Sequence, residues 1–187
     1  SDVCSSDLAL LSGFINKNDN ADVAYEPMLI ANHDGRTMER AIKDELQRSQ
    51  DFDMSVAFVS QGALQALKQY FLDFADNNNH QTGRIITSTF NYFNSPKAFK
   101  ELLKLQEETG ITVQVWQPEQ SGQHVDGAAV TADYPYHPKG YVFRHAQGDE
   151  PLYSTYIGSS NLTINALNVN REWNLKVAAT NSSGLAE

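Results

Sequence analysis

The sequence predicts an α/β fold, with helices packed on a sheet. Three observations carry that prediction. Apolar residues recur at helical spacing in three segments, short β-rich runs lie between them, and the two patterns alternate along the chain. Arg36 to Gln50 places Met38, Ala41, Ile42 and Leu46 on one helical face. Asp53 to Ser60 is a short apolar run bounded by polar residues and reads as a buried strand. Gln61 to Asp76 is helical again, with Leu64, Leu67, Phe71 and Phe74 at the expected spacing, and Asn77-Asn78-Asn79 ends it.

Arg84 to Phe90 is the next strand pattern. Ser95-Pro96 then supplies an N-cap and an N1 proline for a helix that Gly110 stops after Thr109. Ile111 to Val115 alternates as a half-buried strand. Pro118 to Tyr136, rich in Gly, Gln and Asp, reads as a long loop, a feature that compact domains keep for function or leave disordered. Two further strands, Lys139–Arg144 and Tyr153–Ile157, flank a turn at Gln147 to Pro151. A short helix is expected to open near Asn161. Asn170 to Thr180 closes the pattern as a last strand, with Trp173, Leu175 and Val177 toward the core and Glu172, Asn174 and Lys176 away from it.

With 187 residues, the chain is long enough for one sizeable core, and residues 9–187 read as a single domain. The first eight, Ser1-Asp2-Val3-Cys4-Ser5-Ser6-Asp7-Leu8, resemble translated sequencing adapter and are set aside, so the chain is expected to be a fragment of a longer protein. Cys4 is the one cysteine, which excludes an internal disulfide framework and a multi-cysteine zinc site. With no signal-peptide pattern and no apolar run of about 18 residues, a cytoplasmic setting away from membranes is expected. The formal charge of −9, from 14 basic and 23 acidic side chains, argues against gripping nucleic acid by bulk electrostatics alone.

His137-Pro138-Lys139 heads a predicted strand, and residues two apart on a strand can address one point. An imidazole beside an ammonium suits a phosphate, because the first can attack phosphorus while the second neutralises oxygen charge. Gly158-Ser159-Ser160-Asn161 follows a strand and leads toward a helix, where hydroxyl, amide and backbone N–H donors form an anion site or an ordinary N-cap. Glu172, from the last strand, is a carboxylate that can fix the tautomer of an imidazole or simply face solvent. His124, Asp126, Asp133 and His137 have no recognised metal-ligand spacing. Lys97, Lys100 and Lys104 form a helical row, and Trp116 and Tyr134 flank the long loop as packing or base-stacking residues.

Taken together, His137-x-Lys139, Gly158-Ser159-Ser160-Asn161 and Glu172 resemble the HKD signature of the phospholipase D superfamily. Tyr136 to Phe143 and Ile157 to Thr163 look most like the phospholipase D-like nuclease domain at the N-terminus of bacterial DEAD/DEAH-box helicases, akin to some restriction endonucleases. The resemblance covers the C-terminal third by motif. It implies a mixed β-sheet flanked by helices on both faces and a phosphodiesterase that needs no metal or other cofactor. In that family's reaction His137 is the nucleophile, and Lys139, Asn161, Ser159 and Ser160 hold phosphate oxygens. Glu172 orients His137. Implied partners are DNA or RNA, a helicase domain in the same full-length chain, and a second copy of the chain. That copy would supply the second histidine, because no other His-x-Lys occurs here.

Two departures stand out. Many members carry Asp five residues after the lysine, where this chain has Arg144, and the interval from Lys139 to Gly158 is longer than in the compact signature. Strand parity turns Arg144 away from the His137 face. A non-catalytic nucleic-acid-binding or dimerisation module fits the same residues. A lipid phosphodiesterase does not gain support, since no membrane-binding amphipathic helix is visible.

Overall fold

A computed structural model describes residues 27–77, 83–89, 93–117, 136–146 and 150–180. In chain order the elements are β1 (Met28–Ile30), α1 (Met38–Leu46), β2 (Asp51–Val56), α2 (Gln61–Asn77), β3 (Arg84–Ser88), α3 (Pro96–Thr109), β4 (Thr112–Trp116), β5 (Lys139–His145), β6 (Leu152–Gly158) and β7 (Asn174–Thr180). A π-helical turn at Asn165–Val169 precedes β7. The adapter-like octapeptide with Cys4, the loop residues 118–135, His80 and the turn residues 147–149 lie outside the described residues.

The strands form one mixed sheet in the order β1-β7-β6-β5-β2-β3-β4. β2, β3 and β4 are parallel, and β5, β6, β7 and β1 add to them antiparallel. The two crossovers β2-α2-β3 and β3-α3-β4 run in the same direction, so right-handed connections bring both helices to one face. α1 packs there as well: Phe52, Met54, Tyr141, Phe143 and Tyr156 meet Ile42, Leu46, Leu67, Phe71 and Phe74 in the core. Phe52 is its hub, with ring centroids 4.9 Å from Phe74 and 5.8 Å from Phe71. The mixed α/β sheet is as expected.

Local signals set α3 closely. The Ser95 hydroxyl accepts from the Ala98 N–H at 3.2 Å, Pro96 stands at the first turn, and Gly110 caps the end at φ 74°. α1 is shorter than expected because Thr37 caps it, accepting from the Arg40 N–H at 3.2 Å, while Arg36 is tied back in a turn to His33. β2 starts two residues early, where Asp51 pairs with Arg144 of β5, and residues 57–60 leave the ladder to bond the Pro138 and Leu162 backbones.

β7 departs most. It begins at Asn174, and its inward face is the reverse of the predicted one: Trp173 is 72% and Leu175 47% exposed, while Asn174 is buried. The cause lies across the sheet. Lys176 turns inward to reach the buried carboxylate of Glu45 on α1, 2.9 Å from its Nζ. The same carboxylate accepts from the Tyr156 hydroxyl at 2.6 Å and lies 2.7 Å from His145 Nε2. A buried charge this well surrounded overrides an alternating apolar pattern. Arg144 points to the opposite face, where it donates to Gln50 at 3.2 Å and lies 3.6 Å from Asp51.

Burial raises the pKa of Glu45, but the bonds from His145, Tyr156 and Lys176 outweigh it and bring the value down from 4.5 to about 2. Because the folded value is depressed, the stabilisation is complete above the unfolded value and is lost as pH falls from 4.5 toward 2. Urea unfolding is expected to show stability declining across that acid window. Glu45→Ala is expected to lower stability at neutral pH by about 3 kcal/mol and to flatten the acid decline.

Candidate active site

The motif residues meet at one edge of the sheet. Antiparallel pairing brings the start of β5, the end of β6 and the approach to β7 to the edge where β2 ends. Gly158 pairs with Asn174, and the Trp173 carbonyl passes so close that a Cβ on Gly158 would lie 2.1 Å from it. A residue with a side chain does not fit there. That close approach lets the Ser159 N–H donate to the Trp173 carbonyl at 3.1 Å, which sets Ser159 beside Glu172.

His137 is exposed, two residues before the start of β5, and Lys139 is the first residue of that strand. The Lys139 ammonium lies 3.0 Å from His137 Nδ1 and 3.2 Å from Nε2, and it donates to the His137 carbonyl at 3.2 Å. An ammonium has only donors, so of the two ring nitrogens only one without a proton can accept from it. The Phe58 ring stands edge-on to His137, with centroids 5.7 Å apart, and the Lys139 Nζ is 6.0 Å from the same ring. Burial lowers the pKa of Lys139, and the Glu172 carboxylate opposes that shift through space.

Asn161 joins the cluster through Phe58. Its Oδ1 accepts from the Phe58 N–H at 3.1 Å, which fixes the amide orientation and leaves Nδ2 as a donor with no partner among the described residues. Glu172 binds the Ser159 hydroxyl by a short hydrogen bond and accepts from Asn170 Nδ2 at 3.2 Å. Among the described residues its carboxylate holds Ser159 and not the His137 ring. The expected Glu172–His137 bond is therefore replaced by a Glu172–Ser159 pair that reaches the His–Lys couple through charge.

Ser160 also departs from expectation. It is fully buried: its hydroxyl donates to the Ala166 carbonyl at 3.1 Å and accepts from Asn174 Nδ2 at 2.8 Å. It holds the turn together and has no access to a phosphate. Nor does a helix open at Asn161. Leu162 pairs with residues 58–60 in parallel fashion, and the π-helical turn starts only at Asn165. The backbone N–H groups of 159, 160, 162 and 163 are all occupied within the chain.

Asn174 and Asn94 escape sequence reasoning. Asn174 anchors Ser160 through both ends of its amide. Asn94, buried, accepts from the Val59 N–H at 2.7 Å and donates to the Ser88 carbonyl at 2.7 Å, to Thr87 Oγ1 at 3.0 Å and to the Ala57 carbonyl at 3.1 Å. It thereby steadies the chain that carries Phe58. Trp116 stacks on Tyr136 at 5.5 Å, and the Tyr136 hydroxyl shares a 2.7 Å hydrogen bond with Ser55. His124, Asp126, Asp133 and Tyr134 lie outside the described residues.

Because Glu172 raises the Lys139 pKa against burial, Glu172→Gln is expected to move the Lys139 titration to lower pH. Following the Lys139 Nζ resonance by NMR through the alkaline range checks this, and an unmoved midpoint would contradict the pairing.

No protein-family model and no curated protein matches the sequence. Among solved structures, the chain is similar to NucT from Helicobacter pylori, with TM-score 0.56 and 14% identity over 81% of this chain and 84% of that one. It is also similar to Nuc from Salmonella typhimurium, described as a phospholipase D family member, with TM-score 0.50 and 14% identity over 81% of this chain and 83% of that one. What the chain shares with both is the fold: a mixed sheet with helices, of the kind found in a phospholipase D family member.

Proposed function

We propose that the chain is a phosphodiesterase domain of the phospholipase D type, a nuclease acting on DNA with His137 as nucleophile. The observation that carries this reading is the Lys139 ammonium seated against both ring nitrogens of His137, at the sheet edge where Ser159, Glu172 and Asn161 gather. The fold shared with Nuc supports it.

In this mechanism a phosphate draws the Lys139 ammonium onto its non-bridging oxygens, which frees the imidazole lone pair to attack phosphorus. The new N–P bond forms as the P–O bond to the leaving group breaks, giving a phosphohistidine and an alcohol once the leaving oxygen takes a proton. Water then displaces the histidine and leaves a phosphomonoester. Asn161 Nδ2, a donor with no partner among the described residues, joins Lys139 in holding charge that builds on oxygen, and the exposed Ser159 hydroxyl joins them by turning its proton from Glu172 to the substrate. Glu172 positions Ser159 and sustains the charge of Lys139. Histidine makes the first attack, so no step requires a metal.

The acid for the leaving oxygen is His137 of a second copy, placed across a two-fold axis in a homodimer. A helicase domain in the full-length protein delivers the nucleic acid, which offsets the net charge of −9 on this chain.

Single-stranded DNA is expected to be cleaved in excess chelator, with plasmid cut more slowly, and His137→Ala is expected to reduce cleavage on the order of 10³-fold or more. Shifted mobility without cleavage would mark a binding module and contradict the catalytic reading. Mixing His137→Ala with unsubstituted chains is expected to reduce activity more steeply than dilution does. A loss proportional to the mutant fraction would sink the shared site.

A further inference from the structure

Phe93 is 64% exposed, yet it is not loose. Its ring lies 4.8 Å from that of Phe58, tilted by 55°, and Phe58 in turn stands edge-on to His137 and beneath the Lys139 ammonium. The next residue, Asn94, is the buried amide that bonds Val59, Ala57, Thr87 and Ser88, and Ser95 caps α3. An apolar ring is thus held out toward solvent next to the anchored Asn94, backed by a second ring, beside the His137–Lys139 couple. Trp173, also exposed, has no ring neighbour among the described residues.

We propose that Phe93, backed by Phe58, stacks an unpaired base next to the phosphodiester at His137 and Lys139, and so selects single-stranded nucleic acid. This rests on the nuclease reading and sharpens it. Nucleic acids are the phosphodiesters whose substituents carry flat faces close to phosphorus; a base within a duplex has both faces covered and cannot offer one. Charge adds a second argument. With 23 acidic against 14 basic side chains, the chain cannot rely on bulk attraction to a polyanion, whereas stacking is indifferent to net charge.

The test measures binding by fluorescence anisotropy in the His137→Asn background, so that turnover does not consume the probe. The probes are a fluorescein-labelled single strand, its duplex, and a strand of equal length built from abasic residues. Phe93→Ala is expected to weaken binding of the base-bearing strand about tenfold, with Phe93→Trp restoring it, and to erase the preference over the abasic strand. Phe93→Leu keeps the apolar contact with Phe58 but removes the π-face, and is expected to behave like alanine. An equal loss on base-bearing and abasic strands, or full affinity in Phe93→Leu, would overturn the proposal. Turnover by the unsubstituted chain is read separately: base-selective binding without any cleavage would sink the nuclease reading and leave the stacking role standing.

Discussion

The register of three antiparallel strands determines where every motif residue stands. Pairing Gly140 with Ile157 and Gly158 with Asn174 puts the start of β5, the end of β6 and the approach to β7 at one edge. Side chains alternate across a strand, so a slip of one residue would carry Lys139 to the opposite face and part Ser159 from Glu172. The site is therefore a consequence of sheet register, and the contacts that fix register matter to it as much as the motif residues themselves. Gly158 is one such contact, since only a missing Cβ admits the Trp173 carbonyl.

Two buried polar systems hold that register from different sides. Asn174 binds Ser160 through both ends of its amide, and Ser160 binds Ala166, which ties the β6 end to the segment before β7. Farther along the same strands, Glu45 gathers Tyr156, His145 and Lys176, from β6, β5 and β7, onto helix α1. Buried polar groups are costly unless satisfied, and a shifted register would leave these unpaired. Their cost in the wrong arrangement is what makes the right one specific.

Much of the fold is legible in the sequence because its signals are local. Ser95-Pro96 and Gly110 bracket α3, and apolar spacing in α2 marks Leu64, Leu67, Phe71 and Phe74 as core. The His137–Lys139 couple is legible for the same reason, being two residues apart. What the sequence conceals is tertiary. Lys176 faces inward because a carboxylate from another element waits there, and the predicted parity of β7 fails with it. Ser160 looks like a phosphate ligand until Asn174 claims it, and Glu172 looks like a partner of histidine until Ser159 takes its oxygen. Asn94 carries no signature in the chain, since it joins two segments, at residues 57–59 and 87–88, that only the fold brings together.

The central claim is that His137 forms a bond to phosphorus. The stereochemical course at phosphorus tests it most directly, with a chiral phosphorothioate diester hydrolysed in isotopically labelled water. Two successive in-line displacements, the first by His137 and the second by water, predict net retention. Net inversion would show that water attacks directly and that the imidazole never becomes covalently joined to the substrate.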